Sequence, residues 1–512
     1  MAVQPKHKLN IVLPLFILAC FVLVLPISTQ SLWIDEGTTA YFSALPNFSV
    51  LARQLLTATS SEAQMPGYIL YIWAWVKFFG DSEFILRFAN FPFMVALLVI
   101  LLRSPLVTKV KLYASLFVLL SPFVWYNLNE ARSNIAVLAL GGISLIGVRS
   151  YASPLKTADK VFWLRLTAGS IIIGSFINML FMISIIPLSI AYLVMTYPKW
   201  RIDPAIKPYV LRLLVIVGSL VAVISAYYGY TLLRGAGGMR ELPGLSNLAM
   251  VLYEFTGFGG LGVPRNQLRS SPSLSAFGPF LLQILPLCIV WLVLGLLAGL
   301  VLLEKRHEWL KIALNPYLIA FVSGILAFMI IAYVAGFRFW GRHLSFLYVY
   351  FILGLVDACI LIYDNLSQKL ALAVLVALVG TWMLSDANLR LNPVYQKDDY
   401  KTAVAAVNHL VAEQDIDVLW AGAAYPAMFY GVTFDGVYHP STWDAILQAM
   451  MLRDSEGDTR KLQCPMVVVL FKKYDLFDPR GVIREFVNSQ QMLERYDHQD
   501  FSIYMCDARK ID

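Results

Sequence analysis

Long uninterrupted apolar runs constrain this sequence more than any other feature. Eleven of them are long enough to cross the hydrocarbon core of a bilayer, about 30 Å thick, as helices. They lie at residues 9–27, 87–103, 111–127, 133–149, 164–178, 180–197, 209–231, 278–303, 313–335, 344–363 and 370–388. Because 59% of the residues are hydrophobic and only 14% are charged, lipid must solvate most of the folded surface. The sequence therefore predicts a polytopic α-helical membrane protein.

Lys and Arg are concentrated in the short connections at one end of these predicted helices. The connections contain Arg103, Lys109, Lys111, Arg149, Lys156, Lys160, Arg165, Lys199, Arg201, Lys207, Lys305, Arg306 and Lys311. By the positive-inside rule these connections face the cytoplasm. With the N-terminus inside and an odd number of spans, the C-terminus lies outside. We therefore predict a transmembrane domain at 1–388, with long outer segments at 28–86 and 232–277, and an extracytoplasmic domain at 389–512.

The two outer segments differ in character. Residues 66–79 form an aromatic-rich helix that is short for a span, and such helices often lie in the plane of the membrane interface. The alternative is a true second span, which would invert everything after it. Residues 232–277 are rich in Gly, Pro, Ser and Arg and predict a mobile surface loop.

The C-terminal region alternates between helical and strand patterns. Helices are predicted at about 399–413, 441–452 and 480–495, and strands at 418–420, 466–471 and 501–506. This alternation predicts a small α/β domain with a sheet and covering helices. Its excess of acidic residues and lack of a basic stripe argue against nucleic acid as a partner. Cys464 and Cys506 each adjoin a predicted strand, and whether they form a disulfide is open.

Three charged groups stand out near the outer ends of the predicted spans. They are Asp35 with Glu36, Glu130 with Arg132, and Arg338 with Arg342 and His343. Each has a structural alternative: a solvated loop for the first, an intrahelical pair or a snorkelling arginine for the second, and interfacial anchors for the third. The predicted topology nevertheless brings all three to one face of the membrane. There a carboxylate can take a proton from an acceptor hydroxyl while guanidinium groups stabilise a departing phosphate.

At these residues the sequence resembles the GT-C membrane glycosyltransferases, most closely the branch of protein O-mannosyltransferases and lipid A aminoarabinose transferases. The matching elements are Asp35-Glu36, Gln64-Met65-Pro66-Gly67-Tyr68, Phe79-Gly80-Asp81-Ser82-Glu83 with Arg87, Tyr126 with Glu130 and Arg132, and Arg342-His343. Two positions depart from the family pattern: Gln64 replaces a usual His, and Asn134 stands where Tyr is common.

The resemblance implies an inverting transfer of a sugar from a polyprenyl-phosphate donor to a glycan, lipid or protein acceptor. Asp35 would be the general base and Glu36 its neighbour. Arg342, with Arg338 or Arg132, would hold the leaving phosphate together with His343. Glu130 would orient Arg132 or contact the sugar, and Gln64 and Tyr68 would make acceptor or loop contacts.

The implied setting is the outer face of the plasma membrane, periplasmic in a bacterium. No His/Cys cluster suits zinc, and one Asp-Glu pair is sparse for a divalent metal, so we expect no cofactor, although a divalent metal stays open. The rival class is a lipid or sugar transporter or flippase, which would usually carry ionisable groups at mid-membrane. A receptor-like or scaffold protein whose C-terminal domain does the work is a second rival.

Overall fold

The computed structural model describes residues 17–196, 206–235, 242–270, 274–305, 315–413 and much of 417–506. Within the last range it leaves out 433–436, 439–451, 454–458, 461–465, 474–476, 479–480, 490–491 and 499. The chain divides into two compact units. The membrane unit comprises Met1–Ser28 and Leu45–Tyr395, and the tail unit comprises Thr29–Ala44 and Gln396–Asp512. The tail unit therefore includes a helix, α1 (Ile34–Ala44), from the segment that the sequence placed in the transmembrane domain.

The described residues of the membrane unit are mostly helical. Its α-helices are α2 (Phe48–Thr57), α3 (Pro66–Phe79), α4 (Glu83–Phe88), α5 (Phe91–Arg103), α6 (Thr108–Leu119), α7 (Pro122–Leu128), α8 (Asn134–Tyr151), α9 (Thr157–Ile177), α10 (Ile185–Thr196), α11 (Lys207–Leu233), α12 (Leu245–Phe255), α13 (Arg265–Ser270), α14 (Leu281–Glu304), α15 (Pro316–Ala335), α16 (Tyr348–Asn365) and α17 (Gln368–Leu391). Short 3-10 helices occur at Ser61–Gln64, Met179–Ser184, Phe258–Gly260, Leu274–Phe280, Gly341–Leu347 and Pro393–Tyr395.

Nine segments of the described chain are long and apolar enough to cross a membrane. They are Glu83–Arg103, Asn134–Tyr151, Thr157–Ile177, Met179–Thr196, Lys207–Leu233, Ser275–Glu304, Pro316–Ala335, Gly341–Asn365 and Gln368–Leu391. Each matches one of the predicted runs, so the polytopic helical fold is confirmed. The predicted run at 9–27 lies partly outside the described residues. Within its described part, residues 17–24 are helical.

The predicted run at 111–127 is divided between α6 and α7. The break falls at Ser121, whose hydroxyl accepts a hydrogen bond from the Val124 backbone N–H and so starts a new helix. Pro122 follows in the first turn of α7, where its missing N–H costs nothing. Neither helix alone is long enough to span a bilayer.

Helix α8 lies at the centre of the membrane unit. Nearly all of its residues are buried, and it packs against α5, α9 and the 3-10 helix Gly341–Leu347. By contrast, α11 buries little besides Tyr228 and Thr231, although it is apolar along its length. A helix that is apolar on every side and mostly exposed must be solvated by lipid.

The described part of segment 232–277 is more ordered than the predicted mobile loop. It contains α12, the 3-10 helix Phe258–Gly260 and α13, and its backbone bonds to α17. The Ser385 hydroxyl donates to the Gly257 carbonyl (2.8 Å) and accepts from the Gly260 N–H (3.0 Å). Asn388 also donates to the Gly260 carbonyl (2.9 Å).

The tail unit is an α/β sandwich, as the sequence predicts. Its strands are β1 (Asp417–Ala421), β2 (Val437–Tyr438), β3 (Leu452–Arg453), β4 (Thr459–Arg460), β5 (Met466–Phe471), β6 (Leu493–Asp497) and β7 (Phe501–Cys506). The main sheet has the order β2-β1-β5-β7-β6, with β1 parallel to β2 and β5 and the pairs β5–β7 and β7–β6 antiparallel. β3 and β4 form a separate antiparallel pair.

Helices cover both faces of this sheet. α18 (Tyr400–Glu413) and α19 (Ala424–Phe429) pack on the face that carries Trp420 and Phe471, and α20 (Val482–Ser489) packs on the other. Because β5 is central, all six of its residues are buried, which explains its continuous apolar run.

Three predictions for the tail unit have different outcomes. The predicted helix at 480–495 is wrong in its second half, because it ends at Ser489 and residues 493–497 pair with β7 instead. The predicted helix at 441–452 falls almost wholly outside the described residues. Cys506 is disulfide-bonded, and Cys464 lies outside the described residues.

Candidate active site

Glu130 and Arg132 lie in the turn between α7 and α8. Glu130 is fully buried, and its Oε2 accepts a hydrogen bond from Asn134 Nδ2 (3.0 Å) at the start of α8. Arg132 reaches the 3-10 helix Ser61–Gln64, where its Nη1 lies 2.5 Å from Glu62 Oε1 and its Nη2 donates to Ser61 Oγ (3.1 Å). The side chains of Glu62 and Arg132 are 1% and 11% exposed. Arg132 is therefore held in a fixed orientation by a buried carboxylate 70 residues away.

Tyr68 and Gln64 belong to the same region. Tyr68, in the first turn of α3, is fully buried, and its hydroxyl donates to Asn90 Oδ1 (3.2 Å). Asn90 Nδ2 in turn donates to the Glu130 backbone carbonyl (2.6 Å). Gln64 is the last residue of the 3-10 helix that holds Glu62. The structure thus brings Tyr68, Gln64, Glu130 and Arg132 into one neighbourhood.

The late basic group surrounds the 3-10 helix Gly341–Leu347. Arg342 and His343 stand in its first turn, and the His343 Nδ1 accepts a hydrogen bond from the Trp340 N–H (3.0 Å). Arg338 precedes the helix and stacks its guanidinium on the Trp340 ring, 4.6 Å from the centroid. Stacking on an aromatic face fixes the plane of an arginine and leaves its edge for hydrogen bonding.

A further ion pair lies beside these residues and was not anticipated from the sequence. Arg265 Nε lies 2.7 Å from Glu254 Oε1, with side chains 13% and 3% exposed. The Arg265 guanidinium also covers the Tyr126 ring at 3.7 Å from its centroid. Glu254 passes so close to Gly341 that a Cβ there would lie 2.3 Å from Glu254 Oε2. In the sequence, Arg265 was indicated only as one of the arginines in a segment predicted to be a mobile loop.

Tyr126 connects the two groups electrostatically. Its hydroxyl lies within electrostatic reach of Glu130, Arg265 and Arg342. Residues separated by about two hundred positions in the chain therefore share one buried, charged region. Three arginines and three glutamates contribute to it, namely Arg132, Arg265, Arg342, Glu62, Glu130 and Glu254. In such low-dielectric surroundings a guanidinium interacts with an anion much more strongly than in water.

Asp35 and Glu36 belong to the tail unit, in the first turn of α1. Carboxylates are favoured there because they face the positive end of the helix dipole. Asp35 is partly exposed, whereas Glu36 is fully buried and pairs with Lys397 Nζ at 3.3 Å. Lys397 is a further functional candidate that the sequence did not indicate, since 361 residues separate it from Glu36.

A group of acids follows Lys397 within the tail unit. Asp398 is buried and pairs with Lys473 (2.6 Å), and Asp500 accepts a hydrogen bond from the Asp399 N–H (3.3 Å). Burial, followed by the nearby charge of Asp398, raises the pKa of Asp500 to about 7, although Lys473 opposes the shift.

Metal-ligand clusters are absent from the part of the chain that the structure describes. No three His, Cys, Asp or Glu side chains there are arranged to hold an ion. The chemistry visible in the two units is that of carboxylates and guanidinium groups.

Comparison with solved structures identifies the fold. The chain superposes on ArnT from Cupriavidus metallidurans bound to undecaprenyl phosphate with a TM-score of 0.53 at 12% identity, covering 96% of this chain and 97% of ArnT. The apo state of the same protein gives a TM-score of 0.52 at 11% identity, with 97% and 98% covered. The archaeal oligosaccharyltransferase AglB from Archaeoglobus fulgidus gives 0.45 at 10% identity, with 98% and 74% covered. No protein-family model and no curated protein matches by sequence.

The class of protein is therefore a polytopic membrane protein with the GT-C fold and a small C-terminal sheet domain. ArnT, whose fold it shares over nearly its whole length, has been solved both in the apo state and bound to undecaprenyl phosphate.

Proposed function

We propose that this protein is a glycosyltransferase that moves a sugar from a polyprenyl-phosphate donor to an acceptor. The observation that carries the proposal is the buried arginine group of the membrane unit, in a fold whose neighbour binds undecaprenyl phosphate. Arg132 and Arg265 are each oriented by a glutamate, and a guanidinium held in this way can bind phosphate oxygens without reorganising.

The proposed reaction is a single displacement with inversion at the anomeric carbon. Asp35 accepts the proton of the acceptor hydroxyl, whose oxygen forms the new bond to that carbon. The bond from the carbon to the phosphate oxygen breaks, and its electron pair leaves with the polyprenyl phosphate. Arg342, with Arg338 or Arg132, stabilises the second negative charge that develops on this phosphate.

The remaining predicted residues take supporting roles. Glu36 stands beside the base, Glu130 orients Arg132 or contacts the sugar, and His343 lies next to Arg342. Gln64 and Tyr68 contact the acceptor or the outer loop, and the acceptor is a glycan, a lipid or a protein. We propose that no resident metal is needed, since a carboxylate supplies the base and arginines supply the charge stabilisation.

We also propose that the reaction occurs on the outer face of the plasma membrane, the periplasmic face in a bacterium. The excess of Lys and Arg in the opposite connections supports this orientation. A donor that is itself a lipid would explain why the catalyst is built from membrane helices.

Asp35→Asn tests the proposal. The substitution keeps the size of the side chain and removes its basicity, so we expect turnover to fall by about 10²–10⁴. Donor binding and expression should stay near those of the wild type. Turnover is measured by mass spectrometry of purified protein with a polyprenyl-phosphate sugar and an acceptor chosen by comparing envelope glycans with and without the gene. A variant within threefold of the wild-type rate would remove Asp35 as the base, and unchanged envelope glycans would favour a transporter or scaffold.

A further inference from the structure

We propose that Lys397 is a positioning residue for the Asp35–Glu36 pair, so that the tail unit holds the catalytic carboxylates of the transferase. This inference rests on the proposed function, because it gives Lys397 a role in the reaction for which Asp35 is the proposed base.

The first argument is the burial of the ion pair. Lys397 and Glu36 are 7% and 0% exposed, and their charged atoms are 3.3 Å apart. The Lys472–Asp497 pair of the same unit is 32% and 61% exposed. Exposed ion pairs break and re-form readily in water and therefore do not hold their side chains in place. A buried ion pair holds both side chains in one arrangement. Glu36 is therefore fixed by a residue of the C-terminal chain, and with it the adjoining backbone of Asp35.

The second argument is that the C-terminal chain also fixes the backbone on the N-terminal side of Asp35. The Leu32 N–H donates to the Tyr430 hydroxyl (2.8 Å), and Ser31 Oγ accepts from the Lys401 N–H (3.0 Å). Tyr430 follows α19, and Lys401 lies in the first turn of α18, so two separate elements hold these few residues.

The third argument is the close packing of α1 beyond Glu36. Gly37 rests on Pro426 of α19, and a Cβ at position 37 would come 2.5 Å from Pro426 Cβ. Further along α1, the Tyr41 and Tyr425 rings pack with centroids 4.9 Å apart. Contacts before, at and after the carboxylate pair thus all come from the C-terminal part of the tail unit. A displacement of about 1 Å can slow a reaction 10²-fold, so the contacts that fix the Asp35–Glu36 segment would directly affect the rate.

The experiment measures turnover and KM for the lipid-linked sugar on purified full-length Lys397→Met, per folded molecule. We expect kcat to fall by about 10- to 100-fold while KM for the donor changes less than about twofold, because the carboxylates are displaced and the donor site is untouched. Lys397→Arg should recover most of the loss, since it restores the cation. Lys472→Met, which removes the exposed pair, is the matched control and should keep wild-type kcat.

A milder variant covers the case in which Lys397→Met does not fold. Tyr430→Phe removes only the hydroxyl that accepts the Leu32 N–H, and we expect kcat to fall by about 3- to 10-fold with only a small decrease in melting temperature. Tyr496→Phe, on an exposed ring of β6, is its control and should have no effect.

Two outcomes overturn the inference and are distinguishable. If Asp35→Asn abolishes transfer but folded Lys397→Met and Tyr430→Phe both keep kcat within twofold of the wild type, only the positioning role is wrong. If Asp35→Asn itself keeps wild-type turnover, the proposed base is wrong and the positioning role fails with it.

Discussion

At the scale of single residues, substitutions of Arg342 can distinguish a phosphate-binding arginine from an interfacial anchor. It stands at the start of the 3-10 helix Gly341–Leu347, within electrostatic reach of the half-buried Tyr126. An anchor needs only a positive charge at the membrane surface, whereas a phosphate ligand uses the planar fork of the guanidinium.

We expect Arg342→Ala to lower kcat more than it weakens donor binding, because the phosphate would gain its second negative charge only as the sugar departs. Loss of one such donor typically costs about 10²–10³ in kcat. Arg342→Lys should recover only part of the rate, since an ammonium cannot pair two phosphate oxygens. The measurements are turnover and donor affinity on purified protein. Full activity of Arg342→Lys would return the residue to the role of an anchor.

Single residues also show how much of the candidate site can be predicted from the sequence. Ionisable groups are rare among the apolar runs, so Glu130, Arg132 and Arg342 stand out without any structure. Glu62 and Arg265 lie in polar segments, where charged residues are ordinary. Only their burial and their pairing with Arg132 and Glu254 mark them as part of the same region.

At the scale of elements, the contact between the 3-10 helix Phe258–Gly260 and α17 positions the segment that carries Arg265. The two backbones approach so closely that a Cβ at Gly260 would lie 2.1 Å from the Ser385 carbonyl oxygen. The neighbouring Gly259 has no heavy atom within 4 Å of the equivalent position.

Gly260→Ala should therefore destabilise the protein, and Gly259→Ala should not. The added methyl group must push the 3-10 helix from α17 and weaken the hydrogen bonds to Ser385 and Asn388, at a cost of about 1–3 kcal/mol. Thermal unfolding of the two purified variants in one detergent provides the measurement. Equal melting temperatures would show that α17 does not fix this segment.

At the scale of the whole molecule, the distribution of Lys and Arg predicts the orientation in the membrane. We expect an impermeant thiol reagent to label cysteines placed at Ser270 and Ser489 in intact spheroplasts, and to label one at Lys156 only after permeabilisation. The parent protein, with its native Cys20, Cys288 and Cys359, provides the background signal. Labelling of the Lys156 variant alone would invert the topology and move the proposed chemistry to the cytoplasmic face.

The sequence by itself determined the membrane class, nine of the spans, and the tail elements α18, β1, β5 and β7 with the position of α20. These depend on apolar length and periodicity, which are local properties of the chain. It failed at β6, because residues 493–497 are largely polar and become a strand only by pairing with β7. The tertiary structure alone decided that residues 29–44 belong to the tail unit and that Glu36 meets Lys397, 361 residues later. Contacts at such separation depend on how completed elements pack, and no local pattern encodes them.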